Sequence, residues 1–144
     1  MRGLGQSELM ARLCEEMRRP PFHGWLLPRA VAVDGDQKVV EIEVDFRREL
    51  GFSRDADFYH GGVLSALADI AGHAAVAVWH GAPAPTIDLR IDYLRVAPGE
   101  TLRAKGLLRK LGRAISTADV ELFVGQRLVA VARGTYSTLQ EPRP

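Results

Sequence analysis

The chain has one cysteine among its 144 residues, Cys14, so an internal disulfide is excluded. Its net charge is only +1 at pH 7, and no strong attraction to nucleic acid or to a membrane surface follows from it. Residues 1–17 lack the apolar segment of a signal peptide. The longest apolar stretch, residues 63–79, is interrupted by Asp69 and His73 and is short for a membrane span. We therefore expect a cytoplasmic protein that has neither a membrane nor a nucleic acid as its partner.

The chain does have the composition of a globular domain, with 47% hydrophobic and 26% charged residues. We predict one domain over residues 1–144, in which residues 1–20 form an N-terminal helical extension. Ser7 is expected to cap this first helix, and Pro20 and Pro21 are expected to end it. The apolar positions that should face the core are Leu9, Met10, Leu13, Cys14 and Met17.

Alternation of apolar and polar residues predicts the strands, and one long apolar helix separates the first two strands from the last four. A turn at residues 34–37 joins the first pair, and Gly125-Gln126 forms a tight turn between the last two. Strands grouped around one helix indicate an α+β fold, an antiparallel sheet of about six strands wrapped around that helix. The expected strands are residues 25–33, 40–46, 87–93, 101–110, 115–124 and 127–138.

The central helix begins at the sequence His60-Gly61-Gly62, ends at residue 79 or 80, and contains one carboxylate, Asp69, among small and apolar residues. A carboxylate in such surroundings is costly to keep charged unless something solvates it, and groups of this kind are candidate general bases. The first N–H groups of a helix lack internal partners and carry the positive end of its dipole. Because glycine leaves these groups accessible, the helix start is a candidate site for an oxygen anion.

The spacing of these groups predicts that a functional site contains residues from two subunits. His60 and Asp69 are nine residues apart, which corresponds to about 13.5 Å along a helix and about half a turn of rotation. One substrate carbonyl group cannot contact both the helix start and Asp69 of the same chain. If both ends serve one reaction, the Gly61 amide comes from one subunit and Asp69 from another, in a symmetric dimer with two shared sites.

The His60-Gly61-Gly62 sequence followed by Asp69, with Thr86-Ile87-Asp88-Leu89 opening the next strand, resembles the hotdog-fold acyl-CoA thioesterases of the phenylacetate-degradation (PaaI) type. The match covers roughly residues 39–139. The resemblance implies a six-stranded sheet curled around the central helix. It also implies a homodimer with a continuous sheet or a homotetramer of two such dimers placed back to back.

The resemblance implies hydrolysis of an acyl-coenzyme A to a carboxylic acid and free coenzyme A, with no cofactor other than the coenzyme A of the substrate. The N–H of Gly61 would polarise the thioester carbonyl, and His60 would help to shape this pocket. Asp69 of the partner subunit would activate water or attack the carbonyl directly. The hydroxyl of Thr86 would lie near that water.

Besides Gly62, Arg54 and His73 are candidate substrate contacts. Relatives commonly carry Asn or Gln six residues before the histidine, where this chain has Arg54. Asp55 or Asp57 could replace the missing group, or the loop could be shifted. His73 lies four residues after Asp69 on the same helix face, so it either holds the water and tunes Asp69 or is a core histidine bonded to a backbone carbonyl.

No metal site is expected, because the helical spacing of the acid and the histidines lets only two neighbouring ligands converge. The phosphates of coenzyme A need positive charge. The candidates are Arg90, Arg95, Arg109, Lys110 and Arg113. Two other functions use the same fold: a non-catalytic acyl-CoA-sensing module, which Arg54 favours, and an acyl-thioester dehydratase that pairs His60 with Asp69. A plain helix cap is a third role open to His60.

Overall fold

The structure is a computed structural model, and it describes residues 3–139. A short 3₁₀ turn, Arg48–Leu50, lies in the loop before the central helix. The helices are α1 (Gln6–Arg18), α2 (His23–Leu26) and α3 (Gly61–His80); the strands are β1 (Arg29–Asp34), β2 (Val39–Val44), β3 (Thr86–Tyr93), β4 (Leu102–Lys110), β5 (Ile115–Val124) and β6 (Arg127–Ser137).

The strands form one six-stranded sheet in the order β1-β2-β4-β5-β6-β3, and every neighbouring pair is antiparallel. Along β5 the buried side chains alternate with half-buried ones, because successive residues of a strand point to opposite faces. The buried face covers α3, which packs on β4, β5 and β6. The predicted α+β hotdog arrangement, a sheet wrapped around one long helix, is confirmed.

Helix α3 begins at the predicted His60-Gly61-Gly62 sequence and ends at His80, the later of the two expected ends. His60 is its N-cap, and Gly81 ends it in the left-handed conformation at φ 82°, which glycine adopts without steric cost. The helix is long and apolar enough to cross a membrane by length and composition. Twelve of its residues are buried, however, so its apolar surface is used in packing against the sheet and α1.

In the N-terminal region the structure differs from three of the expectations. Gly5 rather than Ser7 is the N-cap of α1, and it offers no side-chain hydrogen bond. Cys14 is exposed, since the buried stripe of α1 repeats every four residues through Leu9, Leu13 and Met17 and leaves position 14 outside it. Residues 25 and 26 were predicted to open the first strand but belong to α2.

Local sequence explains why residues 25 and 26 are helical. Prolines at positions 20 and 21 begin a helical turn, and Leu27 ends it in the left-handed conformation at φ 63°. The strand therefore starts only after Pro28, at Arg29. A run of apolar residues this short does not distinguish a strand from a helical turn.

Tyr136 of β6 lies across Gly72 of α3, so that a Cβ atom at Gly72 would overlap the tyrosine hydroxyl. Tyr136 is fully buried in the hydrophobic core. The glycine is therefore required for the close approach of helix and strand, although glycine weakens a helix.

We expect Gly72→Ala to destabilise the protein by about 1–3 kcal/mol, because it overpacks this contact. Helix propensity alone predicts the opposite sign, a gain of about 1 kcal/mol. Urea unfolding measures the difference. Gly24→Ala in α2 is the matched control, since nothing lies within 4 Å of a Cβ there. Equal stability of the wild type and Gly72→Ala would contradict the packing described.

Candidate functional site

At the start of α3 one amide has no hydrogen-bond partner in the described part of the chain. The Nδ1 atom of His60 accepts a hydrogen bond of 2.8 Å from the Gly62 N–H, and the His60 carbonyl accepts one of 3.0 Å from the Val63 N–H. The Gly61 N–H donates to no group among residues 3–139. Of the first three amides of the helix, only that of Gly61 is thus available to a bound oxygen atom.

Tyr93, at the end of β3, holds the other side of this turn. Its hydroxyl donates to the Gly61 carbonyl at 3.2 Å and is hydrogen-bonded to the Ser65 hydroxyl. The Gly61–Gly62 peptide is therefore held at its N–H by His60 and at its C=O by Tyr93. Sequence reasoning missed this role of Tyr93, which was interpreted only as one more apolar position of an alternating strand.

An apolar groove of about 380 Å³ opens beside Gly61. Phe52 and Val96 on its rim are 66% and 65% exposed, so the groove is open to solvent in a single chain. Its other lining residues are Phe58, Tyr59, Leu64, Tyr93, Leu94, Arg95 and Ala97. A second depression, of about 240 Å³, lies on the other side of the helix start, between His60, Gly62, Trp25 and Phe22.

Asp69 lies two turns further along α3 and is half-buried. Its Oδ1 atom accepts a hydrogen bond of 2.8 Å from the Thr86 hydroxyl at the start of β3. The backbone carbonyl of Asp69 accepts a hydrogen bond of 3.5 Å from the Tyr136 hydroxyl. Burial, together with the charge of Asp69, raises the pKa of Tyr136 well above its usual range. The structure therefore brings Asp69 and Thr86 together within one chain. The Oδ2 atom of Asp69 has no hydrogen-bond partner among residues 3–139.

Both ring nitrogens of His73 face protein groups. Nε2 accepts a hydrogen bond of 3.1 Å from the Ala84 N–H, and Nδ1 lies 3.6 Å from a carboxylate oxygen of Glu16. Burial lowers the pKa of His73, against the opposing charges of Glu16 and Asp69. The half-buried ring is thus bonded to the backbone, through an amide donor and not through the carbonyl considered in one of its two interpretations.

The loop before α3 places Arg54 and both neighbouring aspartates, Asp55 and Asp57, at exposed positions. The backbone carbonyl of Arg54 accepts a hydrogen bond of 2.9 Å from Arg48. Among the described residues, no hydrogen bond joins the Arg54 side chain to Gly61 or Asp69. The residue is therefore free to turn toward a ligand or toward water.

The five basic candidates for coenzyme A do not gather in one place. Arg95 lines the groove beside Gly61 and donates to the Leu128 carbonyl at 2.9 Å. Arg90 and Arg109 lie on the sheet face opposite α3, where Arg109 binds Asp119 at 2.6 Å. Hydrogen bonds from Arg133 and Arg109 lower the pKa of Asp119 to about 2, so Arg109 is engaged within the protein.

Lys110 and Arg113 are exposed at and just after the end of β4, away from the groove beside Gly61. Within residues 3–139, no cluster of three or more histidine, cysteine, aspartate or glutamate side chains could hold a metal ion.

Comparison with characterised sequences identifies the family. The family model described as thioesterase superfamily matches residues 57–131, the part of the chain that holds the central helix and most of β3 to β6. A Pseudomonas aeruginosa protein provisionally named an esterase is 40% identical over 80 residues, which is 54% of this chain and 60% of that protein. The medium/long-chain acyl-CoA thioesterase YigI of Escherichia coli K12 is 44% identical over 52 residues, 35% of this chain and 34% of that protein.

Solved structures agree with this assignment. A protein of the thioesterase superfamily superposes with a TM-score of 0.84 and 32% identity, covering 90% of this chain and 97% of that one. A variant of the phenylacetic acid degradation protein PaaI from Thermus thermophilus gives a TM-score of 0.72 and 26% identity, covering 83% of this chain and 100% of that one. The curated relatives are matched over at most 60% of their own length. From the family match and the fold together, the chain belongs to the thioesterase superfamily.

Proposed function

We propose that the protein hydrolyses an acyl-coenzyme A thioester to a carboxylic acid and free coenzyme A. The observation that carries this proposal is the Gly61 N–H at the start of α3, which has no partner within residues 3–139 and lies beside an apolar groove. When water or a carboxylate adds to a thioester carbonyl, the carbonyl oxygen becomes an oxyanion. An amide at a helix N-terminus stabilises that charge because it is fixed in direction before the reaction begins.

A second subunit would supply the acid. β3 forms one edge of the sheet, and its Ile87 and Tyr93 side chains are 57% and 53% exposed. Pairing of two β3 strands about a twofold axis would set the Tyr93 end of one against the Thr86 end of the other. Since Tyr93 contacts Gly61 and Thr86 contacts Asp69 in each chain, this pairing would bring the Gly61 amide of one copy toward Asp69 of the other.

In this arrangement one carboxylate oxygen of Asp69 is hydrogen-bonded, and the other has no partner within residues 3–139. Thr86 occupies Oδ1, which leaves Oδ2 to take a proton from an attacking water or to attack the carbonyl itself. In the first route water adds its oxygen to the carbonyl carbon and coenzyme A leaves as a thiolate. In the second route the Asp69 carboxylate adds to the carbonyl carbon, the C–S bond breaks so that coenzyme A leaves as a thiolate, and water then hydrolyses the mixed anhydride to free Asp69 and the carboxylic acid. Both routes end in the same products.

Several features support an acyl-coenzyme A as the substrate of this site. The groove beside Gly61 is mainly apolar, as an acyl group requires, and Arg95 on its lining is the basic candidate best placed for a phosphate. YigI, by its name, acts on medium- and long-chain acyl-CoA. We also propose that residues 1–144 form one functional domain and that the protein is a homo-oligomer. We propose a cytoplasmic location, because coenzyme A thioesters are made there.

The experiment is release of free thiol from a panel of acyl-CoAs, aliphatic and aromatic, short to long. We expect the purified wild type to release coenzyme A from at least one of them with saturation kinetics. No release from any member, with saturable acyl-CoA binding retained, would replace hydrolysis by the sensing function. Consumption of an acyl-CoA without thiol release would favour the dehydratase instead.

A further inference from the structure

The connector just before β3, residues 83–85, has a single backbone donor. Pro83 and Pro85 have no N–H, so Ala84 between them carries the only amide hydrogen of residues 83–85. Ala84 is fully buried, and a buried N–H without an acceptor is costly. The acceptor is Nε2 of His73, at 3.1 Å, from one turn beyond Asp69 on α3.

The same connector places the partner of Asp69. Its far end is held by the hydrogen bond from the Ser137 N–H to the Pro85 carbonyl, at 2.8 Å. Thr86 follows at once, and its hydroxyl donates to Asp69 at 2.8 Å. Two anchors, His73 on the helix and Ser137 on β6, therefore hold the two residues that precede Thr86.

The chemistry of His73 suits an acceptor. A backbone amide can only donate, so Nε2 carries a lone pair and the ring proton sits on Nδ1. That nitrogen faces Glu16, which Arg19 holds at 2.8 Å. Burial, which lowers the pKa of His73, favours the same neutral form. The ring is therefore fixed by α1 on one side while it binds the connector on the other.

We propose that His73 is a positioning residue: by accepting the Ala84 amide it holds the connector so that Thr86 binds Oδ1 of Asp69 and leaves Oδ2 free for the reaction. The catalytic part of this inference rests on the proposed function of Asp69. The hydrogen-bond part concerns the folded protein alone, so it can be measured with no substrate present.

The test compares His73→Leu, which removes the acceptor, with His73→Gln, whose side-chain oxygen reaches about as far as Nε2 and can accept the same bond. Amide hydrogen exchange of the intact folded protein reports on Ala84. We expect exchange at Ala84 to be faster by about tenfold or more in His73→Leu and close to wild type in His73→Gln. Unchanged exchange at Ala84 in His73→Leu would overturn the inference.

Kinetics then separate positioning from a general loss of stability. We expect His73→Leu to lower kcat by about tenfold or more with KM within about twofold, and His73→Gln to restore kcat. In a Thr86→Val background, His73→Leu should lower kcat by no more than about twofold. Both changes interrupt the same series of contacts, from His73 through the connector and Thr86 to Asp69. An equal loss in both backgrounds would contradict a route through Thr86.

The two proposals fail in different ways. If the wild type released no thiol from any acyl-CoA, the proposed function would be wrong, while exchange at Ala84 would still decide whether His73 holds the connector. If thiol release were normal and His73→Leu kept full kcat, the positioning role would be wrong and the function would stand.

Discussion

Asp69→Asn is expected to lower kcat for acyl-CoA hydrolysis by at least about 10²-fold, the lower range for loss of a general base. The asparagine keeps the size of the side chain and an oxygen that can accept the Thr86 hydroxyl, as Oδ1 of Asp69 does at 2.8 Å. It cannot take a proton from water, and its amide is a poor nucleophile, so both routes to hydrolysis are blocked. Thiol release at saturating acyl-CoA measures the loss.

Asp36→Asn in the β1–β2 turn is the matched control, because it removes a carboxylate that is remote from α3's N-terminus and from Thr86. It should retain the wild-type kcat. Thermal unfolding of Asp69→Asn should match that of the wild type within a few degrees, which shows that the loss is chemical. Wild-type turnover in Asp69→Asn would remove Asp69 from the reaction.

Gly61→Pro should lower kcat by about 10²–10³-fold, the cost of removing one oxyanion-hole donor. Proline removes the N–H at this position and places a ring there. It is well tolerated as the first residue of a helix, and it requires an extended residue before it. His60 already has φ −66° and ψ 138°, so the backbone suits the substitution.

Gly61→Ala separates the amide from the space around it. A Cβ atom there would lie 3.4 Å from the Tyr93 ring, an ordinary contact, and the N–H would be kept. We expect Gly61→Ala to keep most of the wild-type kcat. If Gly61→Ala lost as much as Gly61→Pro, the effect would be steric and the amide would not be the group that matters.

The sequence predicted the elements whose signals are local. Helix α3 combines a capping histidine, a run of buried apolar residues and a glycine in the left-handed conformation at its end, and each of these is readable from neighbouring residues. The bounds of the last three strands were predicted to within about one residue, because turn residues such as Gly125-Gln126 separate them. Asp69 and Gly61 could be singled out because one is a lone acid and the other a glycine at a helix start.

The contacts that sequence reasoning missed are tertiary. Tyr93 reaches Gly61 across 32 positions, a pairing set by the register of β3 on β6 and by the packing of α3, neither of which has a local signal. The partner of His73 was unforeseen because it depends on a connector folding back onto its own helix. The basic candidates are close in sequence, but Arg90 and Arg95 line different depressions of the surface.

The most direct test of the shared site is subunit complementation between Asp69→Asn and Gly61→Pro. In a mixed dimer, one of the two sites would combine the intact Gly61 of one subunit with the intact Asp69 of the other. Random mixing of equal amounts makes half of the dimers mixed, so we expect recovery to about a quarter of wild-type kcat. Each variant alone stays inactive. No recovery, with subunit exchange demonstrated by native mass spectrometry, would contradict a site built from two chains.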